Sequence, residues 1–123
     1  KVLLVEDNEI NCEIVEFILR EAGAEVVTAN DGKAAVDEFA ASAPGTFDCV
    51  LMDLMMPVMS GYEAAHVIRG LDRPDASSVP IIALSANAFE EDVALAKDAG
   101  MNEHLAKPVD MNKMFRAMNR LRR

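Results

Sequence analysis

Val2-Leu3-Leu4-Val5-Glu6-Asp7-Asn8 is a short apolar run, without polar alternation, that ends abruptly in two carboxylates and an asparagine. A strand buried on both faces reads this way, because helices covering a parallel sheet leave it no wet side. Helical spacing follows at once. Ile10, Ile14, Val15, Ile18, Leu19 and Ala22 recur at three- and four-residue steps, with Asn8 placed to cap the helix and Gly23 to stop it. The spacing predicts that these six residues form the buried face.

The same pattern recurs along the chain. Strand-like runs cover residues 25–28, 49–52 and 81–84, with a weaker fifth at 104–106. Between and after them lie helical stripes: Ala35, Val36, Phe39 and Ala40; then Ala64, Ala65 and Ile68, ending near Gly70. A fourth stripe, Phe89, Val93 and Ala96, ends at Gly100. A fifth, Met111, Met114, Phe115, Met118 and Leu121, follows Asp110 as its N-cap and reads as core. Residues 72–78 read as a surface loop. Strands alternating with helices imply parallel pairing through right-handed crossovers. Five such units are too few for a closed barrel, which takes ~250 residues. The expected fold is therefore an α/β, flavodoxin-like (βα)5 open doubly wound parallel sheet with strand order 2-1-3-4-5.

Bulk properties agree with one domain over residues 1–123, of which 51% are apolar. A net charge of −9 argues against direct nucleic-acid binding, which wants a basic patch. No apolar run approaches the roughly 18 residues of a membrane span, and no signal peptide is read. The expected location is the cytoplasm. The chain opens on a strand after Lys1 alone, which fits a domain cut from a longer parent that could itself be membrane-anchored. Cys12 and Cys49 have no metal-binding spacing and read as reduced core or near-core thiols.

In open α/β sheets ligands bind beyond the carboxyl ends of the strands, where strand order reverses. Glu6 and Asp7 follow the first strand, Asp53 the third, Ser85 the fourth and Lys107 the fifth. Each alone has a bland reading as a cap or a solvated charge; their joint placement on one rim does not. Three carboxylates in one crevice repel one another, and a hard divalent cation with oxygen ligands removes that conflict. With the Lys107 ammonium and the Ser85 hydroxyl, these are the parts for holding a phosphoryl group at a carboxylate nucleophile.

As a spaced set, Glu6-Asp7, Asp53 with Pro57 and Gly61 downstream, Ser85-Ala86 and Lys107-Pro108 resemble the receiver domains of response regulators, over essentially the whole chain. The runs around Asn8-Glu9-Ile10-Asn11 and Met101-Asn102-Glu103 look most like receivers attached to hybrid sensor histidine kinases. The resemblance implies that Asp53 accepts a phosphoryl group from a phosphohistidine, as a self-phosphorylating acceptor rather than a turnover enzyme. It implies Mg²⁺, with Mn²⁺ able to stand in, on Asp7, Asp53 and the Met55 backbone carbonyl, and with Glu6 acting through water. Lys107 would pair with the phosphoryl group and Ser85 would report its arrival. Implied partners are a histidine kinase dimerisation domain, a histidine phosphotransfer domain and a second copy of the chain, with no membrane contact by the domain. A free-standing regulator and a non-phosphorylated interaction module stay open beside the hybrid reading. An Asp-nucleophile phosphatase is disfavoured, because Met55 stands where a second Asp would donate a proton. A flavin or nucleotide binder is disfavoured too, because the loop after the first strand is acidic rather than Gly-rich. There is one departure: His104 occupies a position that in the family often carries Tyr or Phe. An imidazole there either takes the switching-ring role, making the switch pH-sensitive, or sits exposed without coupling.

Overall fold

The computed structural model describes residues 1–54, 59–85, 94, 97–106 and 111–121. Its elements run β1 (Val2–Val5), α1 (Glu9–Glu21), β2 (Val26–Ala29), α2 (Gly32–Ala41), β3 (Cys49–Asp53), α3 (Gly61–Arg69), β4 (Ile81–Ser85), β5 (Glu103–Ala106) and α4 (Met111–Leu121). The five strands form one parallel sheet in the order β2-β1-β3-β4-β5, as the alternation of apolar runs and helical stripes predicts. The stripe over Phe89, Val93 and Ala96 falls outside the described residues, as does Asp110.

Every residue of β1 and β3 is buried, because the pleat sends alternate side chains into two separate cores. Leu3, Val5, Val50, Met52, Ile81 and Ala83 pack with Ala35 and Phe39 of α2 and Ala64, Ala65 and Ile68 of α3. Val2, Leu4, Leu51, Ile82 and Leu84 pack on the other face with Leu19 of α1 and Met114 and Ala117 of α4. The methionine stripe of α4 is core, and Cys49 is buried in the same cluster. Burial pushes the Cys49 thiol up to about 12, so it stays protonated. Cys12 is half-buried, and burial together with Glu16 and Glu6 raises its thiol as well.

Local chemistry sets the helix ends. The Asn8 side chain accepts the Asn11 N–H at 3.0 Å, and the Asp31 carboxylate accepts the Ala34 N–H at 2.7 Å. Ser60 caps α3 by accepting the Glu63 N–H at 3.3 Å. Gly23 follows α1 with φ 94°, a left-handed conformation that glycine takes without a Cβ penalty.

One expectation fails. Ile10 and Ile14 do not join the core: they are 69% and 53% exposed, together with Phe17 at 64%. The face that α1 buries runs instead through Cys12, Val15 and Leu19. The apolar arc of α1 is wider than the sheet can cover, and residue type alone does not say which part faces inward. Residues 72–78 form a surface loop between α3 and β4, as read, with Asp72, Pro74, Ser77 and Ser78 exposed, but the loop is anchored from within. Asp75 and Ala76 are buried there, and Arg73 holds Asp75 through a two-pronged ion pair at 2.6 and 3.0 Å. The same guanidinium donates to the carbonyls of Phe39 and Ser42 at the end of α2 and lies 4.5 Å over the Phe39 ring.

Candidate functional site

The carboxyl ends of β1 and β3 lie side by side in the sheet, with Val5 opposite Met52. The next residues are therefore Glu6 and Asp7 on one strand and Asp53 on the other. One carboxylate oxygen from each lies within 4.8 Å of the others. Glu6 and Asp53 are each 4% exposed, while Asp7 is exposed. The Glu6 N–H donates to Ala29 O at 3.0 Å, which extends the β1–β2 ladder by one step, and the Glu6 carboxylate accepts the Asn8 N–H at 3.2 Å. These bonds turn the chain from strand to helix and leave the acidic pair beside Asp53.

A second constraint comes from α3. The Gly61 N–H donates to Leu54 O at 3.1 Å, and Leu54 N donates to Leu84 O at 3.0 Å. A Cβ on Gly61 would lie 2.4 Å from Asp53 O and 2.9 Å from Leu54 Cα. Only glycine lets the start of α3 pass this close behind Asp53. Gly61 is one of the residues that carry the family resemblance, and this close approach is the steric reason for a glycine there.

The donor set is all oxygen, partly buried and triply acidic, and this fits a hard divalent cation. Beside it a cleft of about 640 Å³ opens between the ends of β1 and β2 and the starts of α1 and α2. Glu6, Asp7, Cys12, Thr28 and Asn30 line it, and Asp53 does not. The cleft thus reaches Glu6 and Asp7 from the β2 side, next to the β1–β3 crevice where strand order reverses.

Ser85 is the last residue of β4 and pairs with Ala106 of β5, one step beyond the row Asp53–Leu84–Leu105. Lys107 and Met55 fall outside the described residues, as does Pro57. His104 lies on β5 opposite Ala83, half-buried, with Nε2 fully buried and without a hydrogen-bond partner among the described residues. Leaving such a group unsatisfied costs about 1–3 kcal/mol.

Two other features emerge only from the packed chain. Arg69 of α3 donates to Gly100 O, Ala76 O and Asn102 Oδ1 at 2.8, 3.1 and 2.8 Å, and Asn102 Oδ1 also accepts the Ile81 N–H. This fixes where β5 joins β4. The second is the exposed stripe Ile10, Ile14 and Phe17, which starts three residues after Asp7. Among the described residues no helix is long and apolar enough to cross a membrane.

Comparison with known proteins places these features in context. The family model for the response regulator receiver domain matches residues 2–119. The chain is 41% identical over 111 residues to the peroxide stress-activated histidine kinase mak1 of Schizosaccharomyces pombe, covering 89% of the chain. It is 33% identical over 121 residues to hybrid signal transduction histidine kinase I of Dictyostelium discoideum, covering 97% of the chain. The match spans 7% of the length of either kinase. Among solved structures it resembles the receiver domain of a Pseudomonas aeruginosa sensor histidine kinase that has a magnesium ion coordinated in its active-site cleft. That likeness has a TM-score of 0.87 and 39% identity, and covers 98% of this chain and 94% of the other.

Proposed function

Because the chain belongs to the response regulator receiver domain family of two-component signalling, we propose that it accepts a phosphoryl group from a phosphohistidine onto the Asp53 carboxylate. The observation that carries this reading is the convergence of Glu6, Asp7 and Asp53 at the carboxyl end of the sheet. Asp7, Asp53 and the Met55 carbonyl would hold Mg²⁺, with Mn²⁺ as a substitute, and Glu6 would act through water. Bound there, the cation would offset the clustered carboxylates and the charge on the phosphoryl oxygens.

In the reaction a carboxylate oxygen of Asp53 forms a bond to phosphorus as the bond from phosphorus to the histidine nitrogen breaks. The imidazole leaves with that electron pair, and the product on Asp53 is an acyl phosphate. The Lys107 ammonium neutralises the transferred group, and the Ser85 hydroxyl donates to one of its oxygens. The new group adds about −1.5 to −2 charge. It shifts the domain between two conformations by contacts available in only one of them.

Calorimetric titration with Mg²⁺ tests the site. Asp7→Asn and Asp53→Asn should each weaken binding by about tenfold or more, on the scale of losses seen when metal-site groups are removed. Wild-type affinity in both variants would exclude this ligand set.

The domain works in the cytoplasm as part of a hybrid histidine kinase, a reading supported by the kinase relatives, and it hands its phosphoryl group to a histidine phosphotransfer domain. Helical histidine domains of this kind would dock on α1. Three large apolar side chains stand exposed there, beginning beside the acidic cluster, and Glu9 and Glu13 flank them. Phe17→Ala should slow phosphotransfer from the phosphorylated histidine domain of a hybrid kinase by roughly tenfold, on the scale of a binding hot spot. Uptake from acetyl phosphate should stay unchanged. Equal loss with both donors would place the effect in the domain itself rather than at a docking face.

A further inference from the structure

We propose that Gly32, the first residue of α2, is a positioning residue for the cation: it seats Met59 and so fixes one end of the segment that carries the Met55 carbonyl. This rests on the cation site proposed above and adds a residue from outside it.

The observation is a close approach of two backbones. A Cβ on Gly32 would lie 2.4 Å from Met59 O, 2.9 Å from Met59 C and 2.9 Å from Met59 Cβ. Real Cβ atoms essentially never come so near, and the atom met first is backbone rather than the end of a flexible side chain. Backbone conformation does not ask for a glycine here. The left-handed glycines are Gly23, Gly45 and Gly100. Gly32 belongs to a helix, where glycine costs up to about 1 kcal/mol against alanine. The contact with Met59 accounts for it.

Neither partner is free to retreat. The Asp31 carboxylate accepts the Ala34 N–H at 2.7 Å, and Asp31 O accepts the Ala35 N–H at 3.1 Å, so the start of α2 is capped. Ala35 and Phe39 bury the helix in the core it shares with β1 and β3, and Met59 packs against that same core. Ser60 caps α3 immediately after Met59, and the Gly61 N–H ties the chain back to Leu54 O.

The segment after Asp53 is thus held at both ends. Leu54 is bonded through its N–H to Leu84 O, and Met59 rests on Gly32. Met55 stands between these two anchors in the sequence. A carboxylate ligand adjusts through its side-chain torsions, but a backbone carbonyl moves only with its chain. Displacing Met59 therefore bears on the Met55 ligand first. Mg²⁺ demands near-ideal octahedral geometry at about 2.0–2.1 Å, whereas Ca²⁺ accepts flexible geometry at about 2.3–2.6 Å. A misplaced carbonyl costs the smaller ion more.

Calorimetric titration of wild type, Gly32→Ala and Met59→Gly with Mg²⁺, and separately with Ca²⁺, tests this. Denaturant unfolding identifies the variants that fold. Gly32→Ala should weaken Mg²⁺ binding about tenfold, the scale of disturbing a group behind a metal ligand. Its Ca²⁺ binding should weaken less, so the ratio of the two affinities shifts toward Ca²⁺. Met59→Gly adds no atom and loosens the same anchor. Its ratio should shift the same way, and it decides the matter if Gly32→Ala does not fold. A wild-type ratio in the folded variants, whether both affinities hold or both fall equally, would overturn the proposal while leaving the cation site intact. A wild-type domain that binds neither cation would instead remove the site, and this inference with it.

Discussion

Arg73→Ala is expected to lose about 3–5 kcal/mol of folding stability, the cost of leaving one partner of a buried ion pair uncompensated. The Arg73 and Asp75 side chains are only 10% and 4% exposed. The substitution would also remove the guanidinium donor from Ser42 O and one of the donors to Phe39 O, and the stacking on Phe39. Against a total stability of about 5–15 kcal/mol for a domain of this size, that loss is large. Denaturant unfolding measures it. Replacing the pair together, as Arg73→Met with Asp75→Leu, should recover part of the loss, because no buried charge is then stranded. A loss under about 1 kcal/mol in Arg73→Ala would mean the pair behaves as a solvated surface contact.

The same pair gives a pH dependence with a definite sign. The Arg73 guanidinium holds the Asp75 carboxyl below the usual carboxylate range; burial opposes this, and the Gly45 N–H assists it. The folded-state pKa is therefore depressed relative to the unfolded chain. Its stabilising contribution is complete above the ordinary Asp value of about 3.9 and is lost as pH falls through the lower folded-state value. Wild type should lose stability more steeply than the double variant across that acid window.

Gly61→Ala is expected to damage both the fold and the site. The added methyl would meet backbone atoms of Asp53 and Leu54 rather than the end of a flexible side chain, so relief requires moving β3 or α3. Overpacking of this kind costs about 1–3 kcal/mol. Displacing Asp53 should weaken Mg²⁺ binding in parallel, since shifts near 1 Å in a constellation of this kind can cost about 100-fold in activity. Gly70→Ala is the control. A Cβ there meets only His66 O and Val67 O at 3.6 Å, an ordinary contact, and stability should hold within about 0.5 kcal/mol. Equal tolerance at both positions would remove the claim that α3 is pinned against Asp53.

Much of the fold was legible because the signals are local. Val2–Val5 and the run from Cys49 are apolar without alternation, and only a sheet covered on both faces buries such runs completely. Strand ends moved by no more than a residue or so, as with β2, which begins at Val26 rather than Glu25. The acidic convergence followed from topology: once β1 and β3 are neighbours, Glu6, Asp7 and Asp53 have to meet. What could not be read depends on which partners are present. Ile10 and Ile14 have the residue type and spacing of core positions, but no element covers them. Arg73 and Asp75 sit in a stretch rich in turn-forming residues, and their burial depends on contacts with α2 more than 30 positions away. The burial of His104 Nε2, which has no hydrogen-bond partner among the described residues, could not be foreseen, because it depends on how β5 packs and not on its chain neighbours.

The most direct test of the central claim is the intact mass of the domain after incubation with acetyl phosphate, with and without Mg²⁺, alongside Asp53→Asn. The account predicts a single added phosphoryl group on the wild type, dependent on Mg²⁺ and absent from the variant. An unmodified wild type with its fold intact, or an adduct that persists in Asp53→Asn, would contradict it.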